Sequence, residues 1–510
     1  MTATNRIALL IALGSAACVG TAVAQEFKLV PLAGSASAGS RVYGVNSAGQ
    51  GVGWSTISGD TKHATEWNSS LVRDLHGTLH FGLGQVFDID YSEAFAISDD
   101  DQIVGTARFD VKCGEEEVIH SHAFIFRPAV LSDLGTPYPG DALVKLGALA
   151  AECTGFDSAA VGISNRSHVV GWAELTGGDI HAFIVTPVNG SWYRDTVAPV
   201  GVNDLMVDLG TLDSRSTVSS ATAVNDNGQV TGYSYTTTFT YNGDSAYHAF
   251  IVTPQAGSWF VDANADGIND LMQSIGTLGG PNSWGRAINN SGAIVGEADT
   301  ASYDTHAFIY QNGQIADLGT LGGRNSSASG INNNGDVVGW AEDETGARRA
   351  FLYKDGRFRD LNGMLLATDT GRVTLTEARD INDAGDIVGW GTTTNGTEQI
   401  DMAFRLRLPT DDEVAEADAL LALQAGLVDG TTTDADGNST DGGANGGGSN
   451  TGTFIGGTPT TLDGTTDDGS DADADGGTDV VNNAAGASCG VGFASLMPIM
   501  MLAMLGMRRR

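Results

Sequence analysis

The residues best placed to do chemistry form one loop, Asp262-Ala-Asn264-Ala-Asp266-Gly267-Ile-Asn-Asp270. Oxygen-bearing side chains at alternate positions, followed by glycine at the sharp turn, begin a calcium loop of the EF-hand kind. Asp262, Asn264, Asp266 and Asp270 are therefore the candidate metal ligands, and Ca2+ is the one cofactor the sequence suggests. The bidentate glutamate that should close such a loop is absent, and Gln273 stands in its place. A sibling insertion, from Ser191-Trp192-Tyr193 to Asn203-Asp204-Leu205-Met206, precedes the same kind of strand without the acidic triplet, so the insertion does not require calcium. A turn merely rich in Asp and Asn is the competing reading.

Two other residue types bear on chemistry. Cys113 and Cys153 are the cysteines of the folded part, and in an exported chain a disulfide between them is the economical reading. It would close a loop of about forty residues, worth roughly 3–4 kcal/mol if unstrained; a pair of free thiols is the alternative. Histidine recurs before Ala: His63, His122, His181, His248 and His306. His120 and His122 are two apart and share a strand face, but no third ligand accompanies them. The G-x-S-x-G, H-E-x-x-H and Walker patterns are absent, as is paired-cysteine zinc spacing. No catalytic residues are assigned. The formal charge of −36 excludes nucleic acid as a natural partner, because the phosphate backbone would be repelled.

The elements that carry these residues repeat. Val45-Asn46-Ser-Ala-Gly49-Gln-Gly-Val52-Gly53-Trp54 is one copy of a turn between two β-branched runs, and seven copies recur, the last being Ile381-Asn-Asp-Ala-Gly385-Asp-Ile-Val388-Gly389-Trp390. The composition is that of a β-hairpin. Gly49, Gly228, Gly292, Gly335 and Gly385 suit a left-handed turn position. Asp101 and Ser167 replace it in two copies, so those turns are expected to differ in type. A strand follows each hairpin, as in His181-Ala-Phe183-Ile-Val and Arg349-Ala-Phe351-Leu-Tyr. A third element, as in Asp317-Leu-Gly-Thr-Leu321-Gly-Gly, closes six of the units. The seventh stands at the other end of the chain, as Lys28-Leu29-Val-Pro-Leu32-Ala-Gly34.

That permutation decides the architecture. A linear solenoid has no reason to split one unit between its ends, whereas a closed ring does, because the displaced strand seals the circle and removes a sheet edge. The predicted fold is an all-β, seven-bladed β-propeller over residues 25–408, with blades of about four strands closed by the N-terminal strand. Equivalent positions then lie at equivalent radii, too far apart for the recurring histidines to share a metal. Each is expected as a half-buried strand residue hydrogen-bonded to a neighbouring blade.

The motifs Asp-Leu-Gly-Thr-Leu-Gly-Gly, Gly-Ile-Asn-x-x-Gly-x-Val-Val-Gly and His-Ala-Phe resemble those of the HAF-repeat family of bacterial extracellular proteins, most clearly in the fifth and sixth copies. The resemblance implies an exported repeat protein and brings no catalytic residues. The loop at Asp262 is likewise similar to the short calcium loops of dockerins.

The ends of the chain carry an address. Residues 1–24 read as a signal peptide, with Arg6, an apolar core from Ile7, and cleavage between Ala24 and Gln25. Residues 409–428 suit a short helix. Residues 429–488 are a Gly/Thr/Asp-rich linker with almost nothing to bury, expected to be disordered. Residues 489–510 open on Cys489-Gly490, continue as an apolar run long enough to span a bilayer, and end in three arginines. This ending is similar to C-terminal sorting tails of the MYXO-CTERM and GlyGly-CTERM kind, which implies a membrane stage and a sorting protease as partners; a permanent membrane anchor is the alternative. The functional expectation is an envelope-tethered or surface-displayed module of a Gram-negative-type bacterium that binds a glycan, protein or matrix ligand. An extracellular hydrolase or lyase, and a structural envelope component, are the alternatives.

Overall fold

One repeat shows how the others fold. Ser219–Val224, Val230–Phe239, Ser245–Val252 and Met272–Gly276 pair in chain order as a four-stranded antiparallel sheet. The computed structural model describes residues 26–32, 39–56, 61–68, 72–75, 91–113, 116–127, 142–147, 149, 157–196, 202–239, 245–395 and 398–424. Among them are seven such sheets, each with four strands. Their first strands are Ser40–Val45, Ser92–Ile97, Ser158–Ile163, Ser219–Val224, Gly279–Ile288, Gly322–Ile331 and Thr374–Ile381, which number the blades 1 to 7. First strands of adjoining blades touch all the way round, including blade 7 against blade 1, so they form the innermost ring. The fold is a seven-bladed β-propeller, as the repeats predict.

The ring is closed by the N-terminal strand. Lys28–Leu32 pairs antiparallel with Glu398–Arg407, in register Lys28 to Arg407 and Leu32 to Ala403, and is the fourth strand of blade 7. It is held on its other side as well. The Phe27 N–H donates to the Met364 carbonyl (2.8 Å), and the Leu366 N–H donates back to Phe27 (3.0 Å). Asp369, whose side chain is fully buried, accepts from Lys28 Nζ and from the Leu29 N–H, both at 3.1 Å. Phe27, Leu29 and Leu32 are buried.

The repeated motifs interlock. In blade 3, the Asp208 carboxylate accepts from the Gly210 N–H (2.7 Å) and lies 2.9 Å from His181 Nδ1. In blade 5, Asp317 relates to Gly319 and His306 in the same way, at 2.7 and 2.8 Å. Gly210 and Gly319 have φ of 70° and 85°, which few residues but glycine adopt. Each produces a bulge opposite the Ala of His-Ala-Phe. The bulge frees that alanine's N–H, and a serine of the next blade takes it. Ala182 donates to Ser219 Oγ (2.8 Å), and Ser219 Oγ donates in turn to the Gly210 carbonyl. The Ala64–Ser92, Ala123–Ser158, Ala249–Ser283, Ala307–Ser326 and Ala403–Ser40 pairs repeat this clamp. His63, His181 and His306 pair with an aspartate of their own blade rather than with a neighbouring one, while His248 meets Ser274 of its own blade and also the Pro281 backbone of blade 5. The recurring bond between blades on this strand runs through the alanine beside them.

Apolar side chains pack in wedges between blades. Val52, Ala64 and Leu75 of blade 1 pack with Ala94, Phe124 and Phe126 of blade 2 in one cluster. Phe124, Phe183, Phe250, Phe308, Phe351 and Phe404, the aromatic of each later His-Ala-Phe copy, are fully buried. The hairpin turns are alike in all seven blades. Asp101 and Ser167 hold φ of 59° and 61°, beside 75° at Gly49 and 83° at Gly335, and the turn hydrogen bonds are the same. The expected change of turn type does not occur. Bonds between successive turns explain why: each turn is held by its neighbour. Ser47, Asp99, Asn165, Asp226, Asn290 and Asn333 each donate a backbone N–H to the Asp or Asn side chain at the same position of the next blade, at 2.8–2.9 Å.

After the last strand, Asp411–Gln424 is a helix. Thr410 and Glu413 cap it reciprocally, and Arg407 holds Glu413 through two hydrogen bonds (2.9 and 2.7 Å).

Candidate functional site: a ring of bulged residues at the axis

Every first strand carries a bulge at the same place, between Val42 and Gly44 in blade 1 and at the matching positions in the other six. An extra residue in one strand is unpaired and re-aims its side chain. The bulged residues are Tyr43, Phe95, Val161, Thr222, Arg286, Ser329 and Arg379. They sit on the innermost strands, and all but Thr222 are partly exposed there. Side chains from neighbouring blades meet: the Tyr43 and Phe95 rings lie 5.6 Å apart, and the Arg379 guanidinium lies 5.5 Å from the Tyr43 ring.

The bulge follows from the glycine of Val-Val-Gly on the second strand. A Cβ on Gly53, Gly105, Gly171, Gly232, Gly296, Gly339 or Gly389 would stand 1.9–2.1 Å from a first-strand carbonyl oxygen. Only glycine lets the two backbones come that close.

The ring is chemically lopsided. On the side of blades 7, 1 and 2 it offers Arg379, Tyr43 and Phe95. Behind them Trp390 lies edge-on to Tyr43 at 6.1 Å, and Trp54 Nε1 donates to the Tyr43 hydroxyl (2.9 Å). Burial and the Glu93 carboxylate push the phenols of Tyr43 and Tyr91 well up, so both stay protonated. Arg379 is paired with Glu377 at 3.2 Å. Toward blades 3, 4 and 6 the same positions hold Val161, Thr222 and Ser329, which are small, and between the last two stands Arg286 of blade 5, paired with Glu297. The wall thus presents aromatic faces and a paired arginine on one side, and three small residues with the paired Arg286 among them on the other.

The residues singled out from the sequence lie elsewhere. Asp262, Asn264, Asp266 and Asp270 do come together in one exposed loop of blade 4, where Asp262 accepts from the N–H groups of Asp266 and Gly267 (3.1 and 2.9 Å) and Asp270 accepts from that of Ala263 (2.9 Å). The sibling loop folds alike: Asn203 and Asn269, both fully buried, each donate to the preceding blade's fourth strand, at Leu146 and Leu209 (3.0 Å). The insertions thus brace neighbouring blades, and that role needs no metal. Among the described residues, no three Asp, Glu, His or Cys side chains converge to hold a metal ion. His120 and His122 are buried, with rings 6.2 Å apart. Cys113 ends a strand of blade 2. Cys153, Ala24, Gln25, Cys489 and Gly490 lie outside the described residues, as do the proposed signal and tail segments. Among the described residues no helix is long and apolar enough to cross a membrane.

Sequence reasoning missed the axial ring. The bulged residues share no type, and their only signal is an extra residue between the clamp serine and the isoleucine or valine before the turn.

Comparison with known proteins adds little. No curated protein matches the chain. Among solved structures, the TolB of Acinetobacter baumannii is 11% identical with a TM-score of 0.31, over 62% of each chain, so the chain spans less than two thirds of that protein. An arginine-substituted mutant of AofleA from Arthrobotrys oligospora is 11% identical over 62% of this chain and 79% of that one, with a TM-score of 0.26. Residues 152–321 and 316–404, which carry blades 3 to 7, match a family described as Protein of unknown function (DUF3466).

Proposed function

We propose that the chain is an exported binding module that takes a hydroxyl-rich ligand, the end of a glycan, at the axial ring. The lopsided wall supports this reading. Aromatic faces at Tyr43 and Phe95 suit the apolar face of a sugar, and the paired charges around them suit its hydroxyls. Val161, Thr222 and Ser329 leave room on the far side, and Arg286 among them adds a donor for hydroxyls. Blocking that room tests it. In residues 25–424, Ser329→Tyr should lower glycan affinity at least about tenfold, a change of roughly 1.4 kcal/mol, with the melting temperature nearly unchanged. Affinity is read on a glycan array, with and without EDTA. Full affinity in Ser329→Tyr sinks the axial site. Degradation of a polysaccharide without a retained complex favours the hydrolase reading instead.

The address belongs to the same proposal. The signal exports the propeller, the acidic linker tethers it, and the tail holds it at the membrane until a protease cuts near Cys489. Mass spectrometry of the native protein should find the residues beyond Cys489 missing. An intact Arg510 contradicts the sorting step and leaves a permanent anchor.

A further inference from the structure

Three consecutive blade junctions carry a charge pair, and one of them is wired in reverse. The structural position is the same in each. On the third strand it is the residue two before the Ala of His-Ala-Phe: Lys62 in blade 1, Arg348 in blade 6 and Asp401 in blade 7. On the next blade's first strand it is the residue facing the second-strand Trp or its equivalent: Glu93 in blade 2, Glu377 in blade 7 and Arg41 in blade 1. Between blades 1 and 2, Lys62 Nζ meets Glu93 Oε1 at 2.8 Å. Between blades 6 and 7, Arg348 meets Glu377 at 3.9 Å. Between blades 7 and 1 the signs are exchanged: Asp401 is on the third strand and accepts from Arg41 at 2.6 and 3.0 Å. The other four junctions have no opposed charges here, with Ser121 and Ala159, Ile180 and Ser220, Tyr247 and Trp284, and Thr305 and Ser327 in these places.

In each charged junction the cation covers a tryptophan of the upstream blade. Lys62 lies 4.4 Å from the Trp54 ring, Arg348 3.5 Å from Trp340, and Arg41 4.8 Å from Trp390. At the first two junctions the cation comes from the tryptophan's own blade. At the closing junction it comes from across the seam.

We infer that this reversal selects which blades meet when the ring closes. Seven similar repeats could close early or late. If blade 6 met blade 1, Arg348 would face Arg41. If blade 7 met blade 2, Asp401 would face Glu93, whose side chain is buried. Both errors place like charges together, and only the native order satisfies all three junctions. Discrimination by repulsion of wrong partners is how paired charges usually confer specificity. At this position the three pairs flank the seam, which is where such selection acts; the Arg324–Asp304 pair between blades 5 and 6 lies outside that position.

The test restores every native pair while erasing the reversal. In the full chain, Arg41→Asp with Asp401→Arg gives the closing junction the polarity of the other two, and the new arginine stands where Lys62 and Arg348 stand over their tryptophans. Blade 6 then matches blade 1, and blade 7 matches blade 2. After refolding from denaturant, native mass spectrometry and limited proteolysis should show a second population with one seam blade cleavable, several-fold larger than in the unaltered chain. Arg348→Glu with Glu377→Lys is the second variant, made at the longest of the three pairs (3.9 Å). It also makes blade 6 complementary to blade 1. Refolding of both variants to one protease-resistant species in unaltered yield would overturn the inference.

Discussion

A chain that begins at Gly39 should lose its seventh blade. Removing the residues before Gly39 strips Phe27, Leu29 and Leu32 from the core, where they are 1, 3 and 8% exposed. Each such side chain contributes about 1.5–3 kcal/mol on burial, so the three together approach the roughly 5–15 kcal/mol that stabilises a typical domain. The deletion also takes the two strongest partners of Asp369, which would then be a buried carboxylate beside Arg372 at 3.5 Å alone. Leaving a buried charge without its partner costs about 3–5 kcal/mol. The outer edge of Glu398–Arg407 would lie open as a pairing template. The expected result is a large fall in melting temperature, with early proteolysis between residues 374 and 407 and association through the freed edge. Equal stability of chains starting at Gln25 and at Gly39 would contradict ring closure by this strand.

Gly339→Ala should be among the most damaging single substitutions in the molecule. Its Cβ would stand 2.0 Å from the Ser327 carbonyl oxygen and 2.8 Å from the Phe351 ring. Neither neighbour can yield, because Ser327 belongs to the innermost strand and Phe351 is fully buried. Overpacking of a flexible site costs about 1–3 kcal/mol; collision with backbone oxygen places this one above that range, at roughly 4 kcal/mol or more. Gly335, four residues earlier, is the internal comparison. Its φ of 83° favours glycine, yet nothing lies within 4 Å of an added Cβ. Its equivalents in blades 2 and 3 are Asp101 and Ser167. Gly335→Asn should therefore cost less than about 1 kcal/mol. Urea unfolding of the two variants separates steric collision from backbone preference. Similar losses in both would mean that the Val-Val-Gly glycine is conserved in the repeats for its conformation and not for close approach.

These two cases show what the sequence could carry. The blade count and the closing strand were legible because each repeat keeps its turn residues and its buried aromatic, and because one unit visibly lacks its last strand. The glycine of Val-Val-Gly was visible as a letter, but its cause was not, since the carbonyl it avoids lies on another strand. The clamp serines were overlooked for a similar reason. Ser219 or Ser326 looks like an ordinary polar residue until a bulge in the preceding blade presents it with an alanine N–H. The histidines were expected to reach across blades; His248 does so at Pro281, yet at His181 and His306 the Asp-x-Gly bulge brings an acceptor within the blade. The candidate site was hidden altogether, because a bulge selects a position and not a residue type. By contrast, the calcium-like loop at Asp262 stood out in the sequence and proves to be one of two insertions with the same bracing role.

The central claim is that the two ends of the repeat region meet. That contact brings Arg41 and Tyr43 against Trp390 and so builds the charged, aromatic side of the axial ring. Hydrogen exchange tests it most directly. The amides of Lys28, Val30 and Leu32 should exchange as slowly as those of residues 403–407, because the two strands share one ladder. Exchange of residues 28–32 at the rate of a free peptide, with the rest of blade 7 still protected, would contradict the closed ring.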